Sequence, residues 1–193
     1  MTTGTEDDLI NATRQLMLRQ GYAGTGINEI CRVAGVSKGA FYHFFESKEA
    51  LAIVALEQFY RERIDELMAI DVSAAAPGDA LPLFLERVAA RAPKLWEHGC
   101  LIGGLASETA LTSDRLQRDV ARLFDQFAER LAQLAKPFVA SRATGKLNAT
   151  AIAEDILAIV EGAIVLSRAH RDPRRIRSAI TRYAQSLRRL PRR

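Results

Sequence analysis

With 193 residues, 48% of them hydrophobic and 26% charged, the chain can bury a sizeable core, as one long domain or two small ones. Met1 to Asp8 is polar and acidic, unlike a signal peptide. The longest apolar stretch, Ile152 to Leu166, is broken by Glu154, Asp155 and Glu161, so a membrane span is excluded and a soluble, cytoplasmic protein is expected. Two cysteines, Cys31 and Cys100, make no disulfide framework. The net charge of +4 is mild, and residues 1–48 carry five bases against five acids, so any nucleic-acid binding at that end rests on local placement rather than bulk charge. The arginine-rich run from Arg168 to Arg193 could form a second nucleic-acid patch, but a solvated helix face and a frayed tail is the better reading.

The periodicity is helical from end to end, with no strand alternation, internal repeat or low-complexity segment. A first helix is predicted from about Glu6 to Gln20, with an apolar stripe of Leu9, Ala12 and Leu16 flanked by Ile10, Thr13 and Met17. Gly21 ends it, and Tyr22 is expected to pack under the next two helices. Ile27, Ile30, Cys31 and Ala34 then repeat at the spacing of one buried face, which predicts a short helix over 27–34. Gly35 supplies a left-handed stop, Val36 turns an apolar side chain into the corner, and Ser37 is a ready N-cap for a third helix from Lys38 to about Phe44. Phe41, Phe44 and Phe45 can anchor that helix, leaving Lys38, Gly39, Ala40, Tyr42 and His43 outside. Two short helices joined through a Gly-containing turn form a helix-turn-helix, whose second helix fits the DNA major groove.

Ser47 caps a long fourth helix, Lys48 to Met68, with Glu49 favourably placed in its first turn. Asp71 to Gly78 is a small, polar, Pro/Gly-marked loop. Asp79 is the expected cap of a fifth helix reaching about Glu97, kinked or interrupted at Pro93. His98-Gly99 breaks the helix, Cys100 begins a short sixth one, and Ser113-Asp114 starts a seventh of about 25 residues. A turn is expected over Thr144 to Asn148, with Asn148 capping an eighth helix to about Ala169. Asp172-Pro173 opens a ninth helix running to about Arg189. The expected fold is therefore all-α, with about nine helices. Residues 1–48 form a three-helix helix-turn-helix DNA-binding domain, and residues 49–193 a helical ligand-binding and dimerisation domain.

The run AGVSKGAFYHFFESKEAL resembles the signature of the TetR/AcrR family of one-component bacterial transcriptional regulators, densely over Leu9 to Leu51. The resemblance implies that Thr25 caps the second helix and touches a phosphate. It implies further that Ser37, Lys38, Gly39 and Ala40 open the recognition helix, and that Tyr42, His43 and Lys48 reach the sugar–phosphate backbone. Double-stranded operator DNA is the implied partner, bound as a ligand-responsive repressor on a palindromic site.

A single short recognition helix reads only a few base pairs, so such proteins double up on a two-fold axis. Alanine, isoleucine, leucine and valine spread over more than one face of Ala149 to Ser167 point to two buried sides. An ordinary buried core helix in a monomer is the alternative, and the family resemblance decides for a homodimer through the last two helices (about 149–170 and 173–189) as a four-helix bundle. On aromatic and apolar content, Phe84, Trp96, Cys100, Leu105, Phe124 and Phe127 are candidate linings of a pocket for a small-molecule effector. Cys100 stands at a helix start, where exposed N–H groups favour a thiolate. The run GCLIGGLASE is similar to the stretch where some TetR-family regulators of electrophile-detoxifying reductases keep a sensing cysteine, which makes Cys100 a candidate thiol sensor beside the simpler reading of a small pocket-lining residue. Cys31 reads as packing.

A thiol-dependent helical enzyme is the alternative, but His98 and Cys100 at i, i+2 do not face each other on a helix. No metal-ligand spacing, phosphate loop or paired-carboxylate site is present, so no metal, cofactor or catalytic residue is expected. A helical interaction adaptor without specific DNA binding would leave Thr25 to Lys48 unexplained.

Overall fold

The computed structural model describes residues 3–110, 112–143 and 148–193, with side chains from Thr5 onward. Among them are nine α-helices: α1 (Thr3–Gln20), α2 (Ile27–Ala34), α3 (Lys38–Phe44), α4 (Lys48–Met68), α5 (Ala80–Leu95), α6 (Leu101–Thr109), α7 (Asp114–Ser141), α8 (Ala149–His170) and α9 (Arg174–Arg188). No strand occurs among the described residues, and no helix is long and apolar enough to cross a membrane. The all-α expectation is met, with α2, α3 and α4 ending where the sequence places them. Of the turn expected over Thr144 to Asn148, all but Asn148 lies outside the described residues.

The chain divides into two compact units, one of residues 1–63 and 100–124, the other of residues 64–99 and 125–193. This division differs from a boundary after residue 48, because α6 and the start of α7 pack onto α1 and α4. Two hydrophobic clusters build the first unit. Leu9, Ile10, Ala12 and Leu16 of α1 enclose Ile30 and Cys31 of α2 and Phe41 of α3, closed by Phe45, Leu51 and Ala55. A neighbouring stripe of the same two long helices, Met17 with Ala52, Leu56 and Phe59, packs on Leu101, Ile102 and Leu105 of α6 and on Leu116, Val120 and Leu123 of α7. Each fully buried Leu or Phe contributes about 1.5–3 kcal/mol, and α1 and α4 present one face to each cluster.

In the second unit α5 lies along α9, which in turn packs on α8. The buried stripe of α9, Ile176, Ile180, Ala184 and Leu187, follows the helical period. Asp79 is the N-cap residue of α5, as expected, but its side chain makes no cap hydrogen bond. Its carboxylate instead receives Arg142 at the end of α7 and Arg192 near the C-terminus, the latter at 2.6 Å. Arg142 also donates to the Leu190 carbonyl at 3.1 Å, and Ala143 N–H to the Pro191 carbonyl at 2.8 Å, so the last residues are tied to the end of α7. Pro93 lies inside the last turn of α5, and the helix stops at Leu95, two residues short of the expected Glu97. Ser47 and Asn148 act as the expected caps, accepting Ala50 N–H and Ala151 N–H. At α9 the N-cap is Pro173 rather than Asp172, and the Asp172 carboxylate accepts Arg174 N–H from one residue further out.

Candidate nucleic-acid interface

The turn between α2 and α3 is made by Gly35 at φ 70°, ψ 26°, a left-handed conformation that a Cβ would strain. The following Val36 N–H closes back on the Cys31 carbonyl at 3.0 Å. Ser37 then caps α3, its hydroxyl accepting Ala40 N–H at 3.1 Å. Phe41 is fully buried and Phe45 nearly so, with ring centroids 6.3 Å apart, and Phe44 is half-buried. This anchoring turns Lys38, Gly39, Tyr42 and His43 to solvent, with Ala40 half-buried beside them. Tyr42 is 54% exposed, an unusual state for so large a ring, and stands edge-on to Phe41 with centroids 5.1 Å apart. A rigid, two-turn helix thus presents an ammonium, a glycine, a phenol and an imidazole side by side. Hydrogen-bond donors on a narrow convex face are what a major groove and its bordering phosphates can accept.

One of the site residues behaves differently from what the resemblance implies. Thr25 does not cap α2; the N-cap is Gly26, whose carbonyl receives Glu29 and Ile30 N–H. Gly26 holds the extended backbone of an N-cap, φ −102° and ψ 151°, so α2 starts one residue too late for Thr25 to cap it. The Thr25 side chain is buried, and its hydroxyl donates to the Gly21 carbonyl at 2.7 Å, so it fixes the α1–α2 corner. Lys48, half-buried at the start of α4, donates to the Tyr22 carbonyl at 2.9 Å and sits 4.0 Å from the centre of the Tyr22 ring. Burial pulls its ammonium below the ordinary lysine range, opposed by the negative charge of Glu108. Burial, and then the charge of Glu49, push the Tyr22 phenol up.

Several side chains that tie this corner and α4 to α6 and α7 carry no local sequence signal, because their partners are remote. Glu108 at the end of α6 accepts Ala23 N–H at 3.0 Å. Ser113 donates to Glu49 at 3.0 Å, and Arg115 reaches Glu46 at 3.4 Å. Arg122 bridges Glu57 at 2.7 Å and Asp119 at 3.0 Å.

The candidate effector residues fall in both units. Leu105 is buried in the second cluster of the first unit, with half-buried Cys100 and Phe124 packed against it. Phe84 and Trp96 are buried in the second unit, and Phe127 is half-buried there. Cys100 is the N-cap of α6, and its carbonyl accepts Gly104 N–H at 3.0 Å. His98 beside it is exposed.

A capped recognition helix on a buried aromatic anchor, carried by an all-helical chain with a second helical unit, defines a helix-turn-helix DNA-binding regulator. Residues 9–55 match the model of the bacterial regulatory proteins of the tetR family. Residues 77–182 match that of the C-terminal domain of LmrA/YxaF-like transcriptional regulators. The HTH-type transcriptional repressor DhaR of Mycobacterium sp. (strain GP1) is 29% identical over 156 residues, 81% of this chain and 76% of that protein. The HTH-type transcriptional repressor NemR of Escherichia coli (strain K12) is 29% identical over 133 residues, 67% of this chain and 64% of that protein. The crystal structure of a TetR-family transcriptional regulator from Agrobacterium tumefaciens superposes with a TM-score of 0.82 at 25% identity, covering 99% of this chain and 100% of that one. The chain belongs to the TetR family. It is a ligand-responsive DNA-binding transcriptional regulator, a family identity that is not that of an enzyme.

Proposed function

We propose that the protein is a cytoplasmic repressor that binds a palindromic operator as a homodimer and is released when an effector acts on it. The observation that carries this reading is the outward face of α3, where Lys38, Gly39, Tyr42 and His43 are exposed over a buried Phe41 and Phe45. In the proposal Lys38, Gly39 and Ala40 approach base edges, while Ser37, Tyr42 and His43 fix the register on phosphates. Lys48 offers a phosphate the N–H groups that the Tyr22 carbonyl leaves free, and Thr25 acts one step back by holding the corner. The names of DhaR and NemR, both repressors, support repression over activation.

The dimer is proposed to form through α8 and α9. Val165 and Leu166 are 63% and 52% exposed on α8, although the opposite face of that helix is buried through Ile152, Ile156, Val160 and Ile164. A groove of about 690 Å³ runs between the two helices, lined on α8 by Ala158, Ile159, Gly162 and Leu166. Small and apolar residues on an open helix face are what a second copy can cover in a four-helix bundle.

Release is proposed to begin at α6. Its N-terminus carries Cys100 and its buried face carries Leu105, with Phe124 in the same cluster. A reversible ligand, or an electrophile bonding to the Cys100 thiolate, favours a conformer in which the two reading heads no longer match successive grooves. Only a difference in affinity between the two conformers can drive that shift.

The test is fluorescence anisotropy with DNA from upstream of the protein's own gene. A salt-dependent complex that survives excess scrambled DNA is expected; equal affinity for both DNAs would sink the assignment.

A further inference from the structure

The first two turns after α1 are held from an unexpected side. At residues 21–25 several backbone groups have a specific partner. Gly21 N–H is bonded to the Met17 carbonyl, and the Gly21 carbonyl to the Thr25 hydroxyl. The Tyr22 carbonyl takes both Thr25 N–H, at 3.2 Å, and the Lys48 ammonium. Ala23 N–H is taken by the Glu108 carboxylate, a residue 85 positions away on the last turn of α6.

The carboxylate lies close over Gly21. A Cβ on Gly21 would lie 2.4 Å and 2.8 Å from the two carboxylate oxygens of Glu108, and the residue's φ of 80° independently excludes most side chains. Glu108 therefore grips the chain just where it enters α2, and its charge also reaches Lys48, where α4 begins. Its own helix is anchored by Leu101, Ile102 and Leu105, and Thr112 donates to the Glu108 carbonyl at 3.1 Å. Cys100 and Glu108 stand at opposite ends of α6, about 12 Å apart along its axis. A rigid nine-residue helix transmits a push at one end as a shift of the other.

We propose that Glu108 is a positioning residue for DNA recognition: by accepting the Ala23 N–H, it lets α6 set the placement of the helix-turn-helix directly at the α1–α2 corner. This rests on the operator-binding reading above. It adds a second route from α6 to the reading head that does not run along α4. The carboxylate touches no DNA; it acts through the corner it holds.

The experiment compares the wild-type dimer with Glu108→Ala and Glu108→Gln, measuring affinity for upstream DNA and for scrambled DNA of equal length. Amide hydrogen exchange over residues 21–25 and the thermal midpoint are recorded alongside. Glutamine keeps an acceptor oxygen for Ala23 N–H; alanine does not. The expected result is an operator affinity roughly tenfold lower in the Glu108→Ala dimer, about threefold for the Ala23 N–H bond lost in each protomer. Scrambled-DNA affinity stays unchanged, corner exchange is faster, and Glu108→Gln restores both readouts. An operator-to-scrambled ratio in Glu108→Ala equal to or above wild type would overturn the proposal. So would failure of Glu108→Gln to restore it, or a parallel fall in both affinities with a lower thermal midpoint, which is what a purely structural role would give. If the wild type itself shows no preference for upstream DNA, it is the operator reading that fails, whatever Glu108 does.

Discussion

Removing one oxygen from Tyr42 isolates a single proposed phosphate contact. The ring is held edge-on against Phe41, whose own side chain is fully buried, so Tyr42→Phe keeps the ring in place and leaves the packing of α3 as it is. What it removes is a hydroxyl on a residue that is 54% exposed. A hydrogen bond to a charged group contributes about 1.5–3 kcal/mol, and a dimer makes it twice, so roughly 3–6 kcal/mol of operator binding is at stake. At about 1.4 kcal/mol per tenfold, that is roughly a hundredfold to ten-thousandfold loss. The phenol is neutral and displaces no counterion, so the salt dependence should not change. Lys38→Ala is the contrast. It deletes an exposed cation from each head and should lower the slope of log affinity against log salt by about 1.8 for the dimer if Lys38 lies on phosphate, and by less if it reads a base. Anisotropy titrations at several salt concentrations separate the two variants. A loss smaller than about threefold for Tyr42→Phe, set against the expected hydrogen-bond energy, would refute the placement of Tyr42 on the backbone.

Val165→Glu puts a charge on the open face of α8 and should convert dimer to monomer in sedimentation without changing helicity. A persistent dimer would remove α8 from the interface. Phe41→Ala empties the anchor of α3 and should cost about 3–5 kcal/mol in urea unfolding; a variant as stable as wild type would mean that the first cluster does not depend on it. Asp79→Asn leaves the buried Arg142 without its countercharge and should cost roughly 2 kcal/mol, below the range for fully buried pairs because Asp79 is partly exposed and Arg142 keeps the Leu190 carbonyl. Burial pushes the Asp79 carboxyl up, but the charges and hydrogen bonds of Arg192 and Arg142 outweigh it and hold it below the ordinary value. A depressed folded value means the stabilisation is complete above the ordinary aspartate pKa of about 3.9 and is lost as pH falls through the lower folded value. The gap between wild type and Asp79→Asn should therefore be constant from neutral pH to about pH 5 and close in stronger acid; a gap that widens in acid would contradict it. Finally, a mild thiol electrophile should release wild type but not Cys100→Ser from upstream DNA. Release of both, or of neither, would take Cys100 out of the switch and leave a reversible ligand as the effector.

What was legible in the sequence was whatever is encoded within one or two helical turns. Gly35 and Ser37 announce the turn and the cap because a left-handed residue and a side-chain acceptor are local requirements, and both act as read. The burial of Phe41 and Phe45 against the exposure of Lys38, Tyr42 and His43 follows from period alone. Thr25 shows the limit. A threonine before a helix offers its hydroxyl to two partners at similar range, the helix's own N–H groups or the end of the preceding helix. The choice of the Gly21 carbonyl depends on how the corner closes, which no pattern in residues 21–27 specifies. Asp79 holds the N-cap position but makes no side-chain cap bond for the same kind of reason: two guanidinium groups, from residues 63 and 113 positions away, outcompete a backbone amide for its carboxylate.

The unit boundary has the same origin. A division after residue 48 comes from treating the helix-turn-helix as self-sufficient, since its three helices carry a complete signature. Its core is completed by α4, and α4 has two faces to bury: Leu51 and Ala55 face the reading head, while Ala52, Leu56 and Phe59 face α6 and α7. A helix that shares its apolar surface between two clusters cannot tilt against one without disturbing the other. The polar contacts reinforce this, since Glu46 and Glu57 each find a partner on α7, Glu49 finds Ser113 just before it, and Ala23 finds one on α6. In the proposed mechanism, DNA reading and effector response are coupled through this shared packing. Cys100 and α6 belong to the same unit as the recognition helix, and the clusters around α3 and α6 share α1 and α4.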